Sequence, residues 1–299
     1  MGKELAAAFA SARDVYERAD RVLGDAISTL CFGGPEADLT LTRNTQPAIV
    51  TTSVAALAAL KERLPGLPKP VSAAGHSLGE YSALVASGAI TLEDAVQAVR
   101  LRGEAMQEAV PAGTGAMAAI MGLSPDKVSE ICNEAGQGEV VSPANFNAPG
   151  QIVIAGHAGA VARAIELVGQ RQGKAIPLKV SAPFHCSLMG PAARKLAAKL
   201  ETVAVSPFAF PVIANVDARA NSDPSRVKEL LVQQVDHPVR WEETVRLMAA
   251  DGVTHILEIG PGKVLAGLTR RIAKEIEVVG VGTPEGIETA AKLFSGRDL

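Results

Sequence analysis

Over residues 5–30 apolar side chains recur every three to four positions, the period of amphipathic helix. A second helical run covers residues 46–63 and stops at Leu64-Pro65-Gly66. A short strand over 69–74 then leads through Gly75-His76-Ser77-Leu78-Gly79 into a helix over 80–85. Thr91-Leu92-Glu93-Asp94 opens the next helix, with Thr91 as N-cap and Asp94 three residues on. It ends near Val110-Pro111-Ala112-Gly113.

Beyond Gly113 the pattern changes. Strand periodicity covers 116–123, Ser124-Pro125-Asp126 opens a helix, and strands follow over 140–145 and 151–155 around an Asn147-Ala148-Pro149-Gly150 turn. A helix over 158–171 and a strand over 175–180 complete a β-α-β-β-α-β order, the ferredoxin-like unit. Residues 113–182 therefore read as an inserted small domain, and 1–112 with 183–299 as one discontinuous large domain. The large domain resumes α/β alternation: strands over 210–216, 253–259 and 277–281, helices after Pro191 and over 227–235 and 241–250, and one more helix before the last strand, which closes the chain. Strands alternating with helices predict a mostly parallel sheet covered on both faces.

Composition narrows the function classes. With 299 residues the chain can bury a proper core, and 47% hydrophobic and 20% charged residues are ordinary for a globular protein. A net charge of −3 and 3% aromatic residues argue against nucleic-acid binding and against an anionic membrane surface. No apolar run approaches membrane-spanning length, and the first residues do not form a signal peptide. Cys31, Cys132 and Cys186 form no disulfide framework and no metal-ligand spacing, so a reducing cytoplasm is expected. No metal or redox cofactor is implied.

The chemistry centres on Gly75-His76-Ser77-Leu78-Gly79, a Gly-x-Ser-x-Gly strand–turn–helix elbow that projects the Ser77 hydroxyl from a tight turn. Gly75 and Gly79 are expected to let strand and helix approach closely. The helix start offers free N–H groups to an oxyanion. A serine needs a base. His76 is adjacent, but neighbouring side chains diverge at a sharp turn. His157 and His237 read as turn or loop residues, and His255 as a core residue of a strand. His185, in Ser181-Ala182-Pro183-Phe184-His185-Cys186 at the domain junction, can face a cleft or be a plain loop histidine. The only aspartates between Ser77 and His185 are Asp94 and Asp126, both at helix starts, so a Ser–Asp–His order is not supported, while a Ser–His pair with its imidazole oriented by a backbone carbonyl works in principle. Arg102 lies on the apolar stripe of Leu92, Ala95, Val96, Val99 and Met106. A buried guanidinium needs an anion, either an internal carboxylate or one on a substrate.

Several long motifs stand in one order along nearly the whole chain: Gly75-His76-Ser77-Leu78-Gly79-Glu80-Tyr81-Ser82-Ala83-Leu84; Arg102-Gly103 with Met106-Gln107; Gly113-Thr114-Gly115-Ala116-Met117; Asn145-Phe146-Asn147-Ala148-Pro149-Gly150-Gln151; Pro183-Phe184-His185; and Glu258-Ile259-Gly260-Pro261-Gly262. Together they resemble the malonyl-CoA:acyl carrier protein transacylase family. The resemblance implies an α/β-hydrolase-like large domain with an inserted ferredoxin-like small domain. It implies ping-pong transfer of malonyl from malonyl-CoA to acyl carrier protein in fatty acid biosynthesis. Ser77 would be the nucleophile, His185 the general base and acid, and Arg102 the malonyl carboxylate clamp. The Leu78 N–H would be an oxyanion donor, and the Gln234 main-chain carbonyl would orient His185. Phe184 resembles the pattern that disfavours branched acyl groups. No cofactor is implied, and a monomer is expected. The chain begins just beyond the family's first strand and Gly-Gln-Gly-Ser-Gln loop, so a longer native protein is expected. A serine esterase or thioesterase shares the elbow without explaining Arg102. A non-catalytic carrier-protein-binding module is the other alternative.

Overall fold

The structure is a computed structural model that describes residues 1–111 and 113–295. Ala112, at the expected domain boundary, lies outside the described residues.

The helical run expected over 5–30 is three helices: α1 (Lys3–Ala8), α2 (Ala10–Leu23) and α3 (Ile27–Gly33). Phe9 takes extended backbone between the first two, and Gly24 ends α2 with a positive φ of 69°. A short α4 (Glu36–Leu39) leads to the 22-residue α5 (Thr42–Arg63). The α2 stripe of Val15, Tyr16 and Ala19 is buried, and α2 packs on α5. The short strand β1 (Ala73–Ala74) feeds the elbow, followed by α6 (Gly79–Ala86) and α7 (Leu92–Ala109). Thr91 caps α7 as its spacing predicts, its side chain accepting from the Asp94 N–H.

The next stretch runs β2 (Gly115–Met121), α8 (Pro125–Gly136), β3 (Val141–Ala148), β4 (Gln151–His157), α9 (Ala158–Gln170) and β5 (Lys174–Pro177). The four strands pair antiparallel in the order β3-β4-β2-β5, which is ferredoxin-like topology. Ile120, Ile131, Ile152, Ile154 and Val168 give this unit a core of its own.

The chain then forms α10 (Gly190–Leu200), β6 (Val212–Ile213), β7 (Ala220–Asn221), α11 (Val227–Asp236), α12 (Trp241–Ala250), β8 (His255–Ile259), α13 (Val264–Ile272), β9 (Glu277–Val281) and α14 (Pro284–Ser295). A helix, not β9, therefore closes the described chain. The expected parallel sheet is two short pieces: β1 beside β6 and β8 beside β9 are parallel, while β7 joins β6 antiparallel. The β1–β6 ladder covers only two residue pairs, because β1 turns into the elbow at Gly75 and β6 turns after Ala214. Helix α5 packs against α6, β8 and β9 and so ties the pieces together.

Candidate active site

The elbow turns as sharply as its glycines suggest, though only one of them is sterically required. A Cβ on Gly75 would lie 2.0 Å from the Gly79 carbonyl carbon, whereas a Cβ on Gly79 would meet open space. The close approach expected of both glycines thus rests on Gly75. Ser77 itself has φ 51°, and His185 has φ 59°. Left-handed backbone costs a non-glycine residue about 1–3 kcal/mol and persists only where surrounding bonds fix it.

Those bonds are present. The Ser77 N–H donates to Asn215 Oδ1 at 2.6 Å, and Gln234 Nε2 donates to the Ser77 carbonyl at 2.9 Å. Asn215 Nδ2 donates to the Gly75 carbonyl at 2.8 Å. The turn is held before, at and after the serine.

Ser77 Oγ lies 2.8 Å from His185 Nε2, and His185 Nδ1 lies 2.8 Å from the Gln234 carbonyl. A carbonyl only accepts, so Nδ1 carries the ring proton and Nε2 is the acceptor. Burial first, and the Arg102 cation second, push His185 down to about 3, so its imidazole is neutral at pH 7. Arg102 Nη2 donates to Ser77 Oγ at 2.9 Å. The serine proton is therefore left to point at His185. Among the described residues no acceptor engages the Leu78 N–H, at the mouth of α6.

Arg102 is 2% exposed. Its other partners are Gln46 Oε1 at 2.8 Å and Gln234 Oε1 at 2.9 Å, and its Nε is buried with no hydrogen-bond partner. Among the described residues it forms no ion pair. Of the two anions the sequence left open, the direct internal carboxylate is not found. Glu80 is close by, its carboxylate accepting from Gln234 Nε2 at 2.8 Å and from the Asn215 N–H at 2.9 Å.

Five expected site positions, Ser77, Leu78, Arg102, His185 and Gln234, thus meet at one point. The other histidines go elsewhere. His76 Nε2 bonds Asn147 Oδ1, and His157 Nδ1 accepts from the Val140 N–H. His237 Nδ1 lies against Gln233 and Asp236. His255 is not a core residue: it is partly exposed beside Thr254 and Glu277. Sequence reasoning missed Gln46, Asn215 and the side-chain roles of Gln234 and Glu80. A run of buried polar residues on α5, Asn44, Gln46, Thr51, Thr52 and Ser53, was the available signal for the first. Phe184 is half-buried beside His185. A cavity of about 710 Å³ reaches His185 between the antiparallel unit and the end of α11, with Val140, Ser142, Phe146 and Pro238 in its walls. Among the described residues no cluster of side chains could hold a metal ion, and no helix is long and apolar enough to cross a membrane.

Residues 1–290 match the sequence family described as the acyl transferase domain. The chain belongs to this acyl transferase family. It is 47% identical over 292 residues to the malonyl CoA-acyl carrier protein transacylase of Bacillus subtilis, covering 97% of this chain and 91% of that protein. The corresponding protein of Escherichia coli is 44% identical over 293 residues, covering 97% and 94%. Among solved structures, a malonyl-transacylase in complex with a type II PKS acyl-carrier protein superimposes with a TM-score of 0.95 at 44% identity, covering 98% of this chain and 94% of that one. An acyl carrier protein S-malonyltransferase of Vibrio cholerae gives 0.94 at 47% identity, covering 97% and 94%. The fold class and family that the motifs imply are those found.

Proposed function

We propose that this chain is an acyl-carrier-protein S-malonyltransferase, moving malonyl from malonyl-CoA to the phosphopantetheine thiol of acyl carrier protein in fatty acid biosynthesis. The observation that carries the reading is a buried arginine, without a carboxylate of its own, bonded directly to the hydroxyl of a serine–histidine pair. In the first half-reaction His185 Nε2 takes the Ser77 proton as Oγ attacks the thioester carbonyl. The Gln234 carbonyl on Nδ1 stabilises the imidazolium that forms. The Leu78 N–H donates to the oxyanion. The C–S bond breaks, the proton passes from His185 to the departing CoA sulfur, and malonyl-Ser77 remains. Attack by the carrier-protein thiol reverses each step and regenerates Ser77. The malonyl carboxylate takes up the donors of Arg102, which an acetyl group leaves unpaired.

The division into 1–112 with 183–299 and 113–182 belongs to this reading, as do a monomer and a cytoplasmic location. Three buried free cysteines are consistent with the last. Intact-mass spectrometry after brief exposure to malonyl-CoA tests the proposal. A malonyl-sized increment is expected on Ser77, absent in Ser77→Ala, and transferable to carrier protein. An acyl-enzyme that releases free acid faster than it transfers would instead mean a thioesterase. No increment on folded protein would remove the catalytic reading.

A further inference from the structure

Glu80 lies one helical turn beyond Ser77 on α6 and is 3% exposed, a costly place for a carboxyl group. It holds two residues, and each grips the nucleophile. Asn215, whose N–H donates to Glu80, accepts the Ser77 N–H. Gln234, whose Nε2 donates to Glu80, donates from the same atom to the Ser77 carbonyl. The other end of the Gln234 amide accepts from Arg102. A single amide thus connects the buried cation to the buried carboxylate. Polarisation along this line favours Arg102 positive and Glu80 negative together.

We infer that Glu80 is a positioning residue that serves as the internal counter-charge of Arg102 through Gln234, so that its charge sets how strongly the site prefers an acyl group carrying a carboxylate. The inference rests on the clamp reading of Arg102. When Glu80 is ionised it partly neutralises Arg102, which weakens the attraction for a second anion. It also eases the unpaired cation that an acetyl group leaves behind. Protonation of Glu80 removes both effects. The groups acting on Glu80 are Arg102 on α7, Asp217 in the turn after β6, and Tyr81 on its own helix; His185 lies beyond Gln234. Burial raises Tyr81 further above its already high value, so it stays neutral. Burial also pushes Glu80 up to about 7, so its charge changes across an accessible pH range.

The test is the ratio of second-order rates of Ser77 acylation by malonyl-CoA and by acetyl-CoA, read by intact mass between pH 5.5 and 8.5. Ionisations that affect both substrates alike, including that of His185, cancel in the ratio. In the unmodified protein the malonyl:acetyl ratio is expected to rise about tenfold as pH falls through the Glu80 transition, the order of a charge–charge effect across one amide at an effective dielectric near 20. Glu80→Gln is expected to hold the high ratio at every pH, and Glu80→Asp to keep the pH dependence even if both rates drop. A merely structural Glu80 would lower both rates together and leave the ratio alone, and that result overturns the proposal. If Glu80→Gln does not fold, a flat ratio in the unmodified protein overturns it equally. Arg102→Ala separates the two levels. Loss of malonyl preference there with a flat Glu80→Gln comparison sinks only this inference. A preference that survives Arg102→Ala sinks the clamp reading and this inference with it.

Discussion

Replacing His185 by glutamine should reverse the balance of two opposed protonations and change how stability depends on pH. An imidazole ordinarily titrates near 6.5, and burial with Arg102 lowers His185 to about 3 in the folded chain. Between those values the unfolded chain holds a proton that the folded chain lacks, so His185 makes stability fall as pH falls. Glu80 has the opposite sign. Its ordinary value is 4.5, and burial raises it to about 7. Between those values the folded chain holds the extra proton, so Glu80 makes stability rise as pH falls, and that contribution is lost as pH climbs through the folded value. The windows overlap from about pH 4.5 to 6.5, where the two contributions offset each other. Each full proton difference corresponds to about 1.4 kcal/mol per pH unit. Relative to the unmodified protein, His185→Gln should therefore gain about 2 kcal/mol on going from pH 6.5 to 4.5, since the unfolded imidazole is only half protonated at the upper edge. Glu80→Gln should lose a similar amount over the same interval. Urea unfolding at pH 4.5, 5.5 and 6.5 measures this, and every unrelated carboxylate cancels in the difference between proteins. Curves for the two variants that run parallel to the unmodified protein would show that neither group is perturbed as its surroundings require.

Three further outcomes follow from particular contacts. Arg102→Ala should lower kcat/KM for malonyl-CoA by about 10²–10³, the scale of losing a buried charge-assisted bidentate contact, with no comparable loss for acetyl-CoA; acylation rates by mass spectrometry check it. Gly75→Ala should unfold the elbow or cost at least about 3 kcal/mol, because the new Cβ meets Gly79 backbone at 2.0 Å. Gly79→Ala, at the open first position of α6, should be neutral or stabilising by up to about 1 kcal/mol, and thermal melts of the pair separate the two glycines. Gln234→Ala removes the amide that bonds Ser77, Glu80 and Arg102 but keeps the carbonyl that accepts from His185, so acylation should slow by roughly tenfold to a hundredfold without loss of the imidazole tautomer; single-turnover rates and imidazole NMR read the two parts separately.

What was legible in the sequence follows the range of each physical signal. Helix caps and amphipathic stripes are local, so α7 with its Thr91 cap, α12 and the β-α-β-β-α-β order could be read directly. Strand β6 lies inside the strand expected over 210–216, but only Val212–Ile213 join a ladder and the rest goes into the turn that carries Asn215; the two-residue β7 gave no periodicity to read. Arg102 was legible because a cation on an apolar stripe is a local contradiction. Gln46 gave only the weaker warning of standing among the polar residues of α5, and Asn215 and Glu80 gave none. Each is a modest polar residue whose meaning depends on partners 56, 138 and 154 positions away in the chain.

That difference also bears on how the site is built. A strained serine needs neighbours that fix its backbone, and on the clamp reading proposed above a buried arginine needs neighbours that satisfy its donors without closing it to a substrate anion. One amide does both here: Gln234 Nε2 holds the Ser77 carbonyl, and Gln234 Oε1 holds Arg102. A neutral acceptor satisfies a guanidinium donor more weakly than a carboxylate does, so it yields to an incoming carboxylate. An aspartate or glutamate in direct contact with Arg102 would stabilise the empty site and compete with substrate. Placing Glu80 one amide further out keeps the compensating charge within electrostatic range while leaving the arginine's own donors to be claimed.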